Sequence, residues 1–177
     1  MGMTSIVIVS YNTYDYTRMC IESIRKYTRP GSYEILVVDN ASTDATPAWL
    51  REQTDIRCIW NTENTGFPHG CNQGMAAARG ADILLLNSDT VVTACWLDNL
   101  TRALYSGANI GAVSCMTNCC SNFQKIDVDY ADMDEMQRFA AQYNRSDPSR
   151  WLRWMTLVGF CFLFKREVYE RLGGLDE

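Results

Sequence analysis

The chain has 177 residues, of which 47% are hydrophobic and 21% are charged, and its formal net charge is −5. This length fits one domain with a substantial core, so we expect a single domain over residues 1–177. The acidic balance argues against a general affinity for nucleic acid or for an anionic membrane. Any anionic ligand must therefore be held locally.

Strand and helix signals alternate from the start of the chain. The apolar runs SIVIVS (5–10) and YEILVV (33–38) are typical of strands buried on both faces. Between them, apolar residues recur at helical spacing until Pro30-Gly31. A short helix is predicted from Pro47, with Thr46 as its cap, and IRCIW (56–60) is predicted to be a third strand.

The same alternation continues to about residue 115. The segment NTENTGFPHG (61–70) is predicted to be a loop that leads into an alanine-rich helix closed by Gly80. The run ILLLN (83–87) predicts a fourth strand, residues 94–105 a helix, and IGAVSC (110–115) a fifth strand. This order predicts an α/β fold with a mainly parallel sheet and helices on both of its faces.

The pattern is less regular after residue 117. We expect an excursion from the sheet over residues 117–150, in which 127–144 form an amphipathic helix. The run RWMTLVGFCFLF (153–164) then has strand character, and KREVYERL (165–172) predicts a short helix before the ending GGLDE.

Polar residues follow each predicted parallel strand. They are Ser10-Tyr11-Asn12, Asp39-Asn40, the segment Asn61 to Gly66, and Asn87-Ser88-Asp89. Each group alone is typical of turns and helix caps. Ligands of open α/β sheets bind beyond the carboxyl ends of the strands, so their joint position predicts a binding crevice there.

The crevice suits a nucleotide, although the common phosphate-binding loops are absent from the sequence. There is neither a G-x-x-x-x-G-K-[ST] segment nor a G-x-G-x-x-G segment after the first strand. A divalent cation held by a carboxylate and by phosphate oxygens can supply the missing counter-charge. Asp89 is the residue we expect to hold this Mn²⁺ or Mg²⁺ ion.

Four segments in order resemble family 2 of the glycosyltransferases, inverting enzymes with the GT-A nucleotide-diphospho-sugar transferase fold. They are SIVIVSYN, ILVVDNASTDAT, NTGFPHGCNQGMAAARGADILLLNSDT and GGLDE. The resemblance covers nearly the whole chain and is closest to the rhamnosyltransferase-like members. It implies a GT-A fold with a mainly parallel mixed sheet flanked by helices.

The resemblance also implies roles for individual residues. Asp39 would bind the uracil or thymine edge, and Asp89 would be the metal ligand, in a segment where Asn87 replaces the first Asp of the family's D-x-D motif. The remaining residues expected at the donor are Ser10, Tyr11 and Asn12 at the nucleoside, Asn40 and Ser42 in the neighbouring turn, Asn64, Gly66, Phe67 and Asn72 near ribose and diphosphate, and Ser88.

The GGLDE ending bears on the catalytic base. Asp176 and Glu177 are expected to touch the acceptor or the donor sugar, and Asp176 is the candidate base within the chain. In family members this ending leads into a Glu-Asp segment that deprotonates the acceptor. We therefore expect the chain to be truncated before that segment, and the base to lie beyond Glu177.

The sequence thus predicts a metal-dependent inverting hexosyltransferase. It would use a UDP- or dTDP-sugar and a saccharide or lipid-linked acceptor hydroxyl, in polysaccharide biosynthesis. Two alternatives stay open: a sugar-nucleotide pyrophosphorylase, which would need a Gly-rich, Arg-containing loop after its first strand, and a non-catalytic nucleotide-sugar-binding fragment.

Cysteine usage and hydropathy suggest where the protein works. The eight cysteines are scattered through predicted elements, and no secretory signal precedes the first strand, so a cytoplasmic location is expected. Buried free thiols are the favoured interpretation of the cluster Cys115, Cys119 and Cys120, ahead of a metal site. No apolar run has the length of a transmembrane segment, which leaves peripheral membrane association open.

Three further features allow a functional and a structural interpretation. His69 could bind phosphate, but a solvated loop position is favoured. Trp151 and Trp154 could stack on a sugar, but core packing is favoured. The acids between Asp127 and Asp134 are favoured as a solvated helix face, because they lack the glycine and terminal glutamate of a calcium loop.

Overall fold

The computed structural model describes residues 2–177, and Met1 lies outside them. The strands are β1 (Thr4–Ser10), β2 (Tyr33–Asp39), β3 (Ile56–Trp60), β4 (Asp82–Asn87), β5 (Ala112–Ser114) and β6 (Cys161–Lys165). The helices are α1 (Tyr14–Tyr27), α2 (Thr46–Arg51), α3 (Gly66–Ala77), α4 (Trp96–Leu104), α5 (Met133–Tyr143) and α6 (Arg166–Leu172), with a short 3-10 helix at Pro148–Arg150.

The six strands form one mixed sheet in the order β3-β2-β1-β4-β6-β5. The first four strands along the chain are parallel, and β6 runs antiparallel to both β4 and β5. The expected α/β architecture with a mainly parallel mixed sheet is confirmed. Ser10 pairs with Asp39 and Val9 pairs with Asn87, so β1, β2 and β4 end at one level. We call this side of the sheet, with the loops that follow those three strands, the polar edge.

Alternate residues of the buried strands serve two separate cores. Ile6 and Ile8 of β1 belong to the larger core, which α1, α2 and α4 cover, whereas Val7 belongs to the smaller core beneath α3 and α6. The continuous apolar runs in the sequence follow from this arrangement, because both faces of the sheet are covered.

Helix α3 lies unusually close to the sheet. A Cβ atom on Gly70 would lie 2.9 Å from Val9 Cγ1, and one on Gly74 would overlap Val7 Cγ1. Glycine at these two positions allows the backbone of α3 to pack directly on β1. The first turn of α3 is thereby fixed beside the polar edge.

Several boundaries differ from the sequence predictions. Helix α3 already begins at Gly66, so His69 lies on a helix and not in a loop. The strand predicted within 153–164 is regular only from Cys161, and β5 has three residues. The prediction of Thr46 as the cap of helix α2 is wrong, because the helix begins at Thr46 itself. The amide of Thr46 donates to the side chain of Asp44 at 2.9 Å.

The excursion after β5 occurs as expected, but less of it is helical. Its helix α5 begins only at Met133, where the preceding Asp132 accepts a hydrogen bond from the Glu135 amide. The predicted burial of the cysteine cluster is wrong, because Cys119 is exposed and Cys115 and Cys120 are only half-buried. Among residues 2–177, no helix is long and apolar enough to cross a membrane.

Candidate functional site

A cluster of hydroxyl groups fills the polar edge beyond β1. Ser10 Oγ lies 2.9 Å from Thr17 Oγ1 and 3.2 Å from Thr13 Oγ1, and Thr13 Oγ1 lies 3.4 Å from Ser88 Oγ. Ser10 and Thr17 are buried. The cluster joins the end of β1 to the segment after β4, so the structure brings the predicted residues Ser10 and Ser88 together.

The loops after β1 and β2 are bound to each other by side chains. The Asn12 amide donates to Ser42 Oγ at 2.9 Å, and Asn12 Oδ1 accepts from the Thr43 amide at 2.7 Å. Asp44 accepts from the Tyr14 amide at 3.0 Å. Two of these connecting residues, Thr43 and Asp44, were missed by the sequence prediction, although the turn-forming run NASTDAT contains both.

Asp39 is the most constrained acid of the polar edge. It is only 2% exposed, and its Oδ2 accepts from the Ser42 amide at 3.2 Å. Its Oδ1 is buried and has no hydrogen-bond partner among residues 2–177. A buried carboxylate oxygen without a donor is costly, so this atom requires a partner such as a ligand, an ion or a water molecule.

A network of side-chain amides supports the loop between β3 and α3. Asn40 donates to the Gly66 carbonyl at 3.1 Å and accepts from Asn61 at 2.7 Å, and Asn61 and Gln73 exchange two further hydrogen bonds. Asn64 Oδ1 accepts from the amide of Gly66, which has a φ of 83°. Among the predicted donor residues, Asn40 and Asn64 therefore shape the loop. Asn61 was predicted at this edge, although not as a donor residue, and Gln73 was missed.

The side chains of Tyr11 and Phe67 remain available for contact. Tyr11 is 46% exposed immediately after β1, and Phe67 is 43% exposed in the first turn of α3. Both are large aromatic side chains that the protein covers only in part, and an exposed aromatic face can pack against a nucleoside or a sugar.

Asn72 connects α3 with the last residues of the chain. Its Nδ2 donates to the Leu175 carbonyl at 2.9 Å and to Glu177 Oε1 at 2.8 Å, and its Oδ1 accepts from the Leu175 amide at 2.7 Å. His69 Nδ1 lies 2.8 Å from Glu177 Oε2. Hydrogen bonds from His69 first, and then from Asn72, hold the pKa of Glu177 below its ordinary range. We call this group the C-terminal clamp.

The carboxylates of Asp89 and Asp39 each help to raise the pKa of a nearby cysteine thiol. Burial first, and then the charge of Asp89, raises the pKa of Cys20 to about 12. Burial and then the charge of Asp39 raise the pKa of Cys58 to about 11. Both thiols therefore stay protonated and are poor nucleophiles at neutral pH. The two carboxylates lie at the same polar edge, since Ser10 of β1 is paired with Asp39 and the preceding Val9 with Asn87.

The oxygen atoms around Asp89 fit a hard divalent cation that is coordinated by both the protein and a phosphate. Asp89 is exposed, and Asn87 and Ser88 beside it are half-buried and carry oxygen atoms. No group of three or more His, Cys, Asp or Glu residues within 2–177 could enclose a metal ion. One carboxylate is nevertheless sufficient where substrate phosphates and water complete the coordination, as is usual for Mg²⁺.

The polar edge lies at the carboxyl ends of the parallel strands of a mixed α/β sheet, which is where ligands of open α/β sheets bind. The family model of glycosyl transferase family 2 matches residues 5–173. The chain belongs to glycosyltransferase family 2.

Comparison with curated proteins and solved structures agrees with this assignment. The O-antigen biosynthesis protein RfbC of Myxococcus xanthus is 31% identical over 189 residues, which cover 98% of this chain and 14% of that protein. The mannosyltransferase PcManGT of Pyrobaculum calidifontis, solved with GDP-Man and Mn²⁺, has a TM-score of 0.73 and 24% identity over 99% of this chain and 48% of its own. TarS of S. aureus, solved with UDP-GlcNAc, has a TM-score of 0.65 and 17% identity over 96% of this chain and 47% of its own.

The chain spans about half the length of these two solved structures and about one seventh of the length of RfbC. The two structures share the fold, which confirms the GT-A architecture expected from the sequence. Family membership favours a glycosyl transfer role over the pyrophosphorylase alternative.

Proposed function

We propose that this domain binds a UDP- or dTDP-sugar together with a divalent cation at the polar edge, and that it transfers the hexosyl group with inversion to a hydroxyl of a saccharide or lipid-linked acceptor. The observation that carries the proposal is that Asp39 Oδ1 is buried without a hydrogen-bond partner among residues 2–177, at the same edge as Asp89. The names of the relatives place them in glycan assembly, and a role in polysaccharide biosynthesis is proposed for this chain as well.

The nucleoside is assigned to the space between the loops after β1 and β2. The imino N–H of uracil or thymine is a donor, and Asp39 Oδ1 is a buried acceptor that lacks one. Binding would satisfy the carboxylate and exclude bases that present an acceptor there. Ser10 and Asn12 keep the loop in place, and the exposed ring of Tyr11 is available to pack on the nucleoside.

The diphosphate is assigned to the region of Ser88 and Asp89. When bound, a Mn²⁺ or Mg²⁺ ion supplies counter-charge to the departing diphosphate. Asp89 holds that ion, and Ser88, linked through Thr13 to Ser10, fixes the segment that carries Asp89. The complex of PcManGT with GDP-Man and Mn²⁺ supports a metal-assisted donor site in this fold.

The sugar and the acceptor are assigned to the space near the first turn of α3 and the C-terminal clamp. Phe67 offers an exposed ring, and Asn72 acts as a positioning residue that holds residues 175–177. Asp176 is exposed, whereas Glu177 is occupied by His69 and Asn72, so Asp176 is the candidate within the chain for the base that removes the acceptor proton. A positioned base contributes roughly 10²- to 10⁴-fold to such a step.

Calorimetric titration with UDP, dTDP and GDP, each with and without Mn²⁺, tests this proposal. We expect UDP or dTDP to bind in a Mn²⁺-dependent way, and Asp89→Ala to abolish the effect of the metal. Asp129→Ala is the matched control, because Asp129 is exposed in the acidic stretch outside the polar edge.

Three outcomes would contradict the proposal: absence of nucleotide binding, binding indifferent to Mn²⁺ and Asp89, or a preference for GDP. Release of UDP from a UDP-sugar in the presence of Mn²⁺ then separates an enzyme from a domain that only binds the donor.

A further inference from the structure

The segment around the 3-10 helix exposes a cluster of large apolar side chains. Leu152 is 68% exposed, Trp154 is 53% exposed, and Met155 is fully exposed, with Trp151 beside them at 36%. The expected core packing of the two tryptophans is therefore wrong. Four consecutive or near-consecutive exposed apolar residues form a contiguous patch, which differs from the scattered exposed residues of an ordinary surface.

The patch is held in place from beneath. The ring of Trp154 stacks on Phe123 with centroids 3.8 Å apart and an angle of 14° between the planes. Adjacent Gln124 is buried, donates to the carbonyl of Cys115 at 2.9 Å, and accepts from the Val158 amide at 2.7 Å. The exposed side chains thus project from a fixed base and not from a free coil.

Positive charge accompanies the apolar side chains. Residues 145–155 contain three arginines and one aspartate, a local charge of +2 on a chain whose net charge is −5. All three arginines are exposed, and Arg150 lies over the Tyr143 ring at 4.4 Å. The carboxylate of Asp147 accepts from the amide and the hydroxyl of Ser149.

We propose that residues 145–155 form a docking surface for a membrane with anionic headgroups. Tryptophan prefers the interface between headgroups and acyl chains, and arginines near an anionic leaflet each contribute on the order of 1 kcal/mol. Leu152 and Met155 have no groups that could hydrogen-bond sugar hydroxyls, so this chemistry favours lipid over the sugar-stacking interpretation of Trp151 and Trp154.

A short stretch of chain, residues 156–160, leads from the docking surface to the polar edge. Val158 leads into Phe160, whose carbonyl accepts from the Asn87 amide at 2.8 Å, two residues before Asp89. A domain docked in this way would present its site to an acceptor anchored in the same membrane. The lipid-linked nature of the acceptor rests on the proposed function, whereas membrane binding itself does not.

Cosedimentation of the chain with vesicles of phosphatidylcholine, with or without phosphatidylglycerol, tests the inference. We expect at least about tenfold tighter binding to vesicles that contain phosphatidylglycerol, and weaker binding at high salt. Arg145→Glu/Arg153→Glu should weaken binding by about 30-fold or more. Leu152→Ser/Met155→Ser should weaken it by about tenfold, and neither pair of side chains has a packing role that folding requires.

Matched controls lie elsewhere on the surface. Arg29→Glu/Arg102→Glu makes the same change of charge, and Leu172→Ser/Met133→Ser removes the same kind of exposed apolar side chain. Both should bind vesicles like the unmodified chain. Calorimetry with UDP and Mn²⁺ should be unaffected in all four variants, which separates a failure of this inference from a failure of the proposed function.

Three results would overturn the inference. They are absence of vesicle binding, equal binding to both vesicle types, and binding that survives both surface variants. Gel filtration identifies the rival occupant: self-association that Leu152→Ser/Met155→Ser abolishes, without vesicle binding, would assign the surface to a second copy of the chain.

Discussion

The residues before about position 90 and those from about 115 to 160 are built differently, although both reach the polar edge. The first region has four strands whose ends are linked by side-chain hydrogen bonds between loops, such as Asn12 to Ser42 and Asn40 to Gly66. The second has one α-helix of eleven residues, a short 3-10 helix, no strand, and many exposed apolar side chains. The loops of the first region are fixed by these hydrogen bonds, as the proposed nucleotide site requires, whereas the second region presents a broad surface.

Backbone conformation shows the same contrast. Asn12 and Ala41 in the first region have φ angles of 53° and 61°, in the left-handed region that favours glycine. Such conformations cost on the order of 1 kcal/mol each and persist where surrounding contacts enforce them, often at functional sites. Each residue lies two positions after a strand whose polar end belongs to the proposed nucleotide site.

The largest effect should come from Asp89→Asn. Loss of the carboxylate removes the only charged protein oxygen assigned to the cation, so we expect Mn²⁺-dependent UDP release from a UDP-sugar to fall by about 10²-fold or more. The measurement is product release at saturating Mn²⁺, with Asp129→Asn as the control. Unchanged turnover in Asp89→Asn would show that the first region does not hold the metal.

Asp39→Asn should weaken nucleotide binding by about 10- to 100-fold. The side-chain NH2 group of asparagine would then face the imino N–H of the base, and two donors cannot form a hydrogen bond. Stability should be retained, since the change removes a buried charge whose Oδ1 has no partner in the protein. Calorimetry and thermal unfolding of the same sample check both statements. Equal affinity for UDP would contradict the assignment, and Asp98→Asn, a change at an exposed residue of helix α4, is the control.

A pair of glycine substitutions compares the packing of the two regions directly. Gly74→Ala places a methyl group onto Val7 between α3 and β1, so we expect a loss of about 1–3 kcal/mol in the free energy of unfolding. Gly159→Ala meets no atom within 4 Å and should be neutral or slightly stabilising. Denaturant unfolding measures both, and equal destabilisation would refute the contrast.

Gly174→Ala should open the C-terminal clamp without unfolding the domain. Its Cβ would overlap Asn72 Oδ1, which accepts from the Leu175 amide. Hydrogen exchange at Leu175 should accelerate by roughly fivefold, in line with about 1 kcal/mol for one hydrogen bond. Asn72→Ala should reproduce the effect and Gly107→Ala should not, because a Cβ at Gly107 makes only ordinary contacts.

The smallest effect should be a pH dependence of the same clamp. Contacts with His69 and Asn72 lower the pKa of Glu177, so its contribution is present above the ordinary glutamate pKa and is lost as pH falls through the lowered value. Exchange at Leu175, corrected for its intrinsic pH dependence, should accelerate at acidic pH in the unmodified chain. The same dependence in Glu177→Gln would contradict this account.

The strands of the first region could be predicted well because each buried strand is a continuous apolar run in the sequence. The apolar runs at 5–10 and 33–38 indicate strands whose two faces are both covered by helices. The polar residues that follow parallel strands then lie at the same side of the sheet. The supporting residues Thr17 and Gln73 were missed because they are helical residues that reach the edge only through tertiary packing.

The second region resisted prediction for a physical reason. The apolar residues of 151–158 have strand-like character, yet only Cys161 onward finds a partner strand in β4 and β5. Hydrophobicity alone does not distinguish a side chain that enters the core from one on an interaction surface, so Trp151 and Trp154 were assigned to the core. The clamp was missed because His69 and Glu177 are 108 positions apart.

Paramagnetic broadening by Mn²⁺ in the presence of UDP tests the central claim most directly, because it locates the cation. We expect the backbone amide signals of Ser10–Thr13 and Ser88–Thr90 to broaden, those of Tyr105 and Lys165 at the opposite edge to persist, and Asp89→Asn to restore the lost signals. Broadening centred on the acids between Asp127 and Asp134, or at the opposite edge of the sheet, would contradict a shared site for nucleotide and metal at the polar edge.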